Sequence, residues 1–137
     1  MAKDKGATGF IVSTDPKSIE AGKKSIDIIL NTVSVDHDIN VYLPLLRTNG
    51  TIVQLGGCIK PHTVGQMPLM FQRLSITGSL IGGIASTQEV VDYCHEKNIY
   101  PDIKMITASG LNEAWKDLAT SSNAGAIRYV IDIKASL

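Results

Sequence analysis

The sequence predicts an α/β fold built on a parallel sheet with helices on both faces. Three observations carry this. Short segments rich in Ile and Val alternate with segments that carry helix-start signals. Ser25–Val33 (SIDIILNTV) is a nearly continuous apolar run, which fits a strand buried on both faces. Two apolar runs end in paired glycines, Gly56–Gly57 and Gly82–Gly83, and parallel sheets take ligands at the carboxyl ends of their strands.

In chain order, Met1–Gly6 reads as the last turn of a helix, with Gly6 as the glycine that stops it. Gly9–Ser13 reads as a short buried strand. Thr14 or Asp15 can then cap, Pro16 suits a first helical turn, and Lys17–Lys24 reads as a brief polar helix or turn. After the strand Ser25–Val33, Ile39–Leu46 reads as a helix with Val41, Leu45 and Leu46 on one face. Pro44 should kink or shorten it, and Gly50 should stop it. Thr51–Leu55 is the next strand. Gly56–Phe71, with Pro61, Gly65 and Pro68, reads as a long irregular connection. Leu74–Ile81 is a strand. Ser86 and Glu89 have capping-box spacing and open a helix to Lys97 that buries Val90, Val91 and Cys94. A strand over Ile103–Ile106, a helix over Leu111–Thr120 carrying Ala114, Trp115 and Leu118, and a strand over Arg128–Ile133 complete the chain.

Composition excludes several classes. The 137 residues suit one ordinary domain, and 44% hydrophobic with 19% charged residues is a globular balance. Thirteen basic residues offset thirteen acidic ones, and aromatic content is 5%, so no nucleic-acid surface is expected. No apolar run reaches the roughly 18 residues of a membrane span. The start MAKDKGATGF has no apolar signal core, and two unclustered cysteines fit a reducing compartment. The expected location is cytoplasmic.

Four segments in the same order, IDIILNTVS, TIVQLGG, LSITGSLIGG followed by STQEVVDYCHEKNI, and RYVIDI, resemble the C-terminal part of zinc-dependent medium-chain alcohol dehydrogenases, with the cinnamyl alcohol dehydrogenases as the nearest branch. The resemblance runs over nearly the whole chain, and Gly78–Gly83 (GSLIGG) is its most specific piece. It implies an incomplete Rossmann-like sheet that lacks its first two strands. Residues 1–100 would be the C-terminal part of the nucleotide-binding domain, and 101–137 a segment returning toward a catalytic domain outside this stretch. The family's zinc ligands and its phosphate-binding glycine turn also lie outside it. The resemblance implies NADP or NAD as cofactor, a small alcohol or aldehyde as substrate, and inactivity of this chain alone.

Within that family the retained part walls the nicotinamide half of the cofactor site. The resemblance places Thr32 and Val33 on one strand end, Leu55, Gly56 and Gly57 on the next, and Ser79, Leu80 and Ile81 on the third, with Arg128 approaching the cofactor from the last strand. It makes Gly9–Ser13 the third strand, which loses its neighbours with the missing first two, and we expect that segment to close onto Ser25–Val33. It also implies a homodimer through Leu74–Ile81, an edge without lysine or proline to protect it. The alternative from another class is a non-catalytic remnant acting as a dimerisation or interaction module. The paired glycines also fit ordinary strand-end turns, and Arg128 a solvated rim.

No catalytic residue is assigned. His37, His62 and His95 are scattered and read as non-ligands, so no metal is expected. Cys58 follows the glycine turn with no activating base assignable, and Cys94 reads as core. Asp27 and Asp132 lie in strands and read as structural.

Overall fold

The computed structural model describes residues 2–120 and 127–136. They fall into two compact units, Met1–Ile81 and Gly82–Leu137. The α/β class and the parallel pairing follow the sequence reading.

The first unit holds a three-stranded parallel sheet in the order β1 (Ile26–Asn31), β2 (Leu46–Gln54), β3 (Ser75–Gly78). Helix α1 (Pro16–Ala21) starts as predicted, with Asp15 accepting from the Lys17 amide at 3.0 Å. Ile39–Leu46 is not an α-helix but two 3₁₀ turns, Ile39–Val41 and Leu43–Leu45, separated at Tyr42 with Pro44 in the second. The proline cannot donate into an α-helical ladder, so the chain takes the tighter turns and starts β2 at once. These turns nevertheless supply the core, in which Ile39, Leu43, Leu46 and Ile52 form one buried cluster against Ile26, Ile29, Val64 and Leu74.

β2 begins five residues before the predicted strand. Its register against β1 jumps from Ile26↔Leu46 to Ile28↔Thr51, and Asn49 at φ 66° lies within the resulting bulge. Gly50 is therefore not a helix stop. A Cβ there would sit 2.8 Å from the Arg47 carbonyl oxygen and 2.9 Å from Leu46 Cβ, so the bulge needs glycine.

The connection Gly56–Phe71 is irregular only in its first part. Its end is helix α2 (Gln66–Gln72), capped by Arg73 in the left-handed region. Pro68 does not prevent this helix, because a proline in the first turn has no intrahelical amide bond to lose. Gly9–Ser13 is not a strand and does not close onto β1. The Val12 amide donates to Ser18 Oγ at 2.9 Å, and Ile11 lies against the Gly22 turn. Local bonds to α1 have taken the place of a strand pairing.

The second unit contains helix α3 (Ile84–Glu96), the strand β4 (Asp102–Ile106), helix α4 (Leu111–Thr120) and the strand β5 (Ile127–Ile131). β4 and β5 pair in parallel, with Ile103 opposite Arg128. Helix α3 starts two residues before the predicted capping box, with Gly83 at its N-cap and Thr87 Oγ1 donating to the Gly83 carbonyl at 3.0 Å. Its expected core face is open: Val90 is 61% and Val91 56% exposed, while Cys94 is half-buried. On α4 only Ala114 is buried, and Trp115 is 72% exposed. No described helix is long and apolar enough to cross a membrane.

Candidate functional site

The sheet of the first unit sets the site. Asn31 pairs with Gln54, and Gln54 with Gly78, so the three strands finish side by side at one edge. Thr32–Val33, Leu55–Gly57 and Ser79–Ile81 leave from that edge as neighbouring segments. The apolar side chains among them are open, with Leu80 at 88% and Ile81 at 90% exposure and Val33 and Leu55 near 40%. The three predicted groups of cofactor-wall residues are therefore side by side. β3 itself is shorter than predicted, and Ser79–Ile81 lie beyond it. Arg128 lies on β5 in the other unit and is exposed.

The glycines divide by role. A Cβ on Gly56 would meet the Val33 carbonyl oxygen at 2.3 Å and the Thr32 carbonyl carbon at 2.8 Å. The close approach there is by the neighbouring strand end. Gly57 has no atom within 4 Å of that direction and remains open.

Asn31 ties the strand ends together. It is 6% exposed, and its backbone oxygen accepts from the amides of Leu55 at 2.9 Å and Gly56 at 3.0 Å. Its side-chain amide donates to Gln54 Oε1 at 2.7 Å and to His37 Nε2 at 2.9 Å, and its Oδ1 accepts from the Val33 amide at 3.3 Å. Gln54 Nε2 is buried without a partner. No motif predicts this hub; the polar residue ending an apolar strand is its one signal.

Three residues read as unrelated converge on the same edge. His37, Cys58 and His62, all half-buried, each place a donor atom within 4.8 Å of the others. The His37 and His62 rings meet edge-on at 4.9 Å between centroids. The four-residue spacing of Cys58 and His62 was the available signal, and a reading of the histidines by themselves passes over it. His37 Nδ1 lies 4.0 Å from Cys58 Sγ but is not its base. Nδ1–H donates to the Val35 carbonyl at 2.7 Å, and the thiol donates to the same oxygen at 3.2 Å. A cleft of about 500 Å³ opens beside them, lined by His37, Asn40, Lys60 and His62 among others. On its rim Asp38 accepts from the amide and side chain of Asn40, which hold its carboxyl below the usual range.

The two aspartates have structural partners, although only Asp27 lies in a strand, since Asp132 falls just past the end of β5. Asp27 pairs with Arg47 at 3.0 Å, and Asp132 accepts from the Ala135 amide at 2.9 Å.

A three-stranded parallel sheet whose strands end together beside an open apolar rim is the ligand edge of a Rossmann-like domain. The profile of the zinc-binding dehydrogenases matches residues 1–96, and the chain belongs to that family. It is 41% identical over 127 residues to NADP-dependent alcohol dehydrogenase C 1 of Mycolicibacterium smegmatis, covering 93% of this chain and 36% of the relative. It is 39% identical over 132 residues to cinnamyl alcohol dehydrogenase 8 of Arabidopsis thaliana, covering 96% and 36%. Among solved structures, a cinnamyl alcohol dehydrogenase from Sorghum bicolor superposes with TM-score 0.88 at 28% identity, over 99% of this chain and 38% of that one. The cinnamyl alcohol dehydrogenase of Helicobacter pylori, complexed with NADP(H), gives 0.71 at 32% identity, over 87% and 35%. The chain thus spans little more than a third of the relatives it matches.

Proposed function

We propose that the chain forms the nicotinamide-side wall of an NADP(H) site in an alcohol dehydrogenase, with NAD as the alternative cofactor. The observation that carries this is the common edge at Asn31, Gln54 and Gly78, from which the three predicted wall segments leave together. The residues fit a flat apolar ring: Val33, Leu55, Leu80 and Ile81 present open aliphatic surface there, and Gly57 adds none that would obstruct it. Bound there, the nicotinamide would carry hydride between a primary alcohol and its aldehyde, aromatic ones included. The chain's own part is to orient the ring through strand-end backbone and exclude water with these side chains. Residues 1–100 would belong to the nucleotide-binding domain and 101–137 to the segment leading back to the catalytic one.

By the resemblance the family's zinc ligands lie outside this stretch, and no step is assigned to zinc here. We also propose that the chain dimerises with a second copy through Leu74–Ile81, because β3 ends the sheet and carries exposed Ile76 on an unprotected edge. That edge is the observation favouring the second reading, a non-catalytic dimerisation module. Calorimetric titration with NADP and with NAD decides between them. Weak heat of binding to at least one, lost when Gly57 is replaced by Trp, supports the wall. No heat from either cofactor overturns it.

A further inference from the structure

We propose that His37, Cys58 and His62 form a binding site for a divalent transition-metal ion of the zinc class, distinct from the zinc sites of the family. The donors come from the two loops that follow β1 and β2, and one donor atom of each already lies within 4.8 Å of the others. Zinc bonds of about 2.0–2.1 Å to nitrogen and 2.3 Å to sulfur require donor-to-donor edges of roughly 3.3–3.6 Å. The His37 Nδ1 to Cys58 Sγ separation is 4.0 Å, so loop and rotamer adjustments of less than an ångström close that edge. Two imidazoles and one thiolate are the donor set such ions favour, and three protein ligands leave one position for water.

The hydrogen bonds around the cluster say how binding proceeds. In the metal-free chain the Cys58 thiol and His37 Nδ1–H both donate to the Val35 carbonyl, and the metal replaces both protons. The thiol proton leaves to solvent. The imidazole proton moves from Nδ1 to Nε2, so the ring stays neutral and one proton is released per ion. Nε2–H then needs an acceptor, which the Asn31 amide supplies by turning end over end to present Oδ1, at the expense of its 3.3 Å bond from the Val33 amide. When Gln54 turns with it, Gln54 Nε2 donates to Asn31 Oδ1 in place of the present bond from Asn31 Nδ2 to Gln54 Oε1, and Oε1 takes the buried position Nε2 holds now. A bound ion would cross-link the loop after Val33 to the loop after Gly57, the two segments that flank the proposed cofactor wall. The proposal does not depend on the cofactor reading.

The test uses Co²⁺ and Zn²⁺ with the purified 137-residue chain. Wild type should bind one Co²⁺ per chain with a thiolate-to-metal band in the near ultraviolet. Zinc should displace it and raise the thermal midpoint. Cys58→Ser should abolish the band, and His62→Ala should weaken Co²⁺ binding by more than roughly tenfold. Cys94→Ser, which removes the other thiol, should leave band and affinity unchanged. Circular dichroism of the variants without metal separates lost binding from lost folding. No thiolate band in wild type, a band that survives Cys58→Ser, or one lost equally in Cys94→Ser overturns the assignment. A failure of cofactor binding would not touch it.

Discussion

Replacing Gly56 and Gly57 by alanine should have opposite effects, although the two glycines are adjacent and read alike in the sequence. An alanine Cβ at Gly56 would lie 2.3 Å from the Val33 carbonyl oxygen and 2.5 Å from its carbon, both backbone atoms of the neighbouring strand end. Ordinary contact needs more than an ångström beyond that, and backbone cannot rotate away as a side chain can. Moving Gly56 strains or breaks the bonds from the Leu55 and Gly56 amides to the Asn31 oxygen, at 2.9 and 3.0 Å. Overpacking costs about 1–3 kcal/mol and each hydrogen bond about 1 kcal/mol, partly offset by the lower chain entropy of unfolded alanine, so Gly56→Ala should destabilise by about 2–4 kcal/mol. Gly57 has no atom within 4 Å in the same direction and no left-handed φ, so Gly57→Ala should be neutral or stabilise by up to about 1 kcal/mol. Urea unfolding followed by far-ultraviolet circular dichroism measures both. Fluorescence is the wrong probe, because the single tryptophan, Trp115, lies in the other unit. A Gly56→Ala midpoint within about 0.5 kcal/mol of wild type, or equal losses at both positions, would refute the reasoning.

Three further outcomes are expected. The purified chain alone should not oxidise primary alcohols with NADP or NAD, and turnover in a stopped assay free of other polypeptides would contradict this. It should sediment as a dimer at high micromolar concentration, and Thr77→Pro or Ile76→Pro, each removing an amide from β3, should return it to monomer; a wild-type monomer, or a dimer that both variants leave intact, would count against the edge. The Tyr129 hydroxyl donates to Asp117, and that bond, with burial and the carboxylate charge, holds its pKa above the ordinary 10.0. A raised folded pKa means the contribution is full below the unfolded value and lost as pH rises through the folded one, so stability should fall in the alkaline range above pH 10. Asp117→Asn should bring one of the four tyrosines back toward 10.0 in an absorbance titration, and an unchanged titration would remove Asp117 as the cause.

Much of the fold was legible because its signals are local. Ser25–Val33 has only one strand-like reading, and Leu111–Thr120 has helical spacing between clear ends, and both formed within a few residues of the expected limits. The misreadings share a cause, which is that punctuating residues act by position. Pro68 in the sequence speaks for an irregular connection, yet it stands in the first turn of α2 where it breaks nothing. Pro44 shortened its helix so far that only 3₁₀ turns remain. Gly9–Ser13 has strand composition, but its Val12 amide bonds to Ser18 of α1 and Ile11 lies against the Gly22 turn, and the segment joins neither sheet. Burial was harder to read than element type, because it depends on what packs outside the element. The apolar stripe of α3 was visible in the sequence; what covers it was not, and Val90 and Val91 stand open.

The candidate site was legible only as strand ends, because a parallel sheet places those ends together whatever the loops do. What the loops bring was hidden. His37 and Cys58 lie 21 residues apart, and the pairing of β1 with β2 alone makes them neighbours. The register from Ile28↔Thr51 to Asn31↔Gln54 fixes where both loops begin. Asn31 then bonds forward to Val33, across to Leu55 and Gly56, and outward to His37. One buried asparagine thus sets both the spacing of the proposed cofactor wall and the orientation of the nearest metal-ligating ring. Asn31 is the anchor that the wall segments and the loop carrying His37 share. It is also why the glycine beside the anchor tolerates no side chain while the next one does.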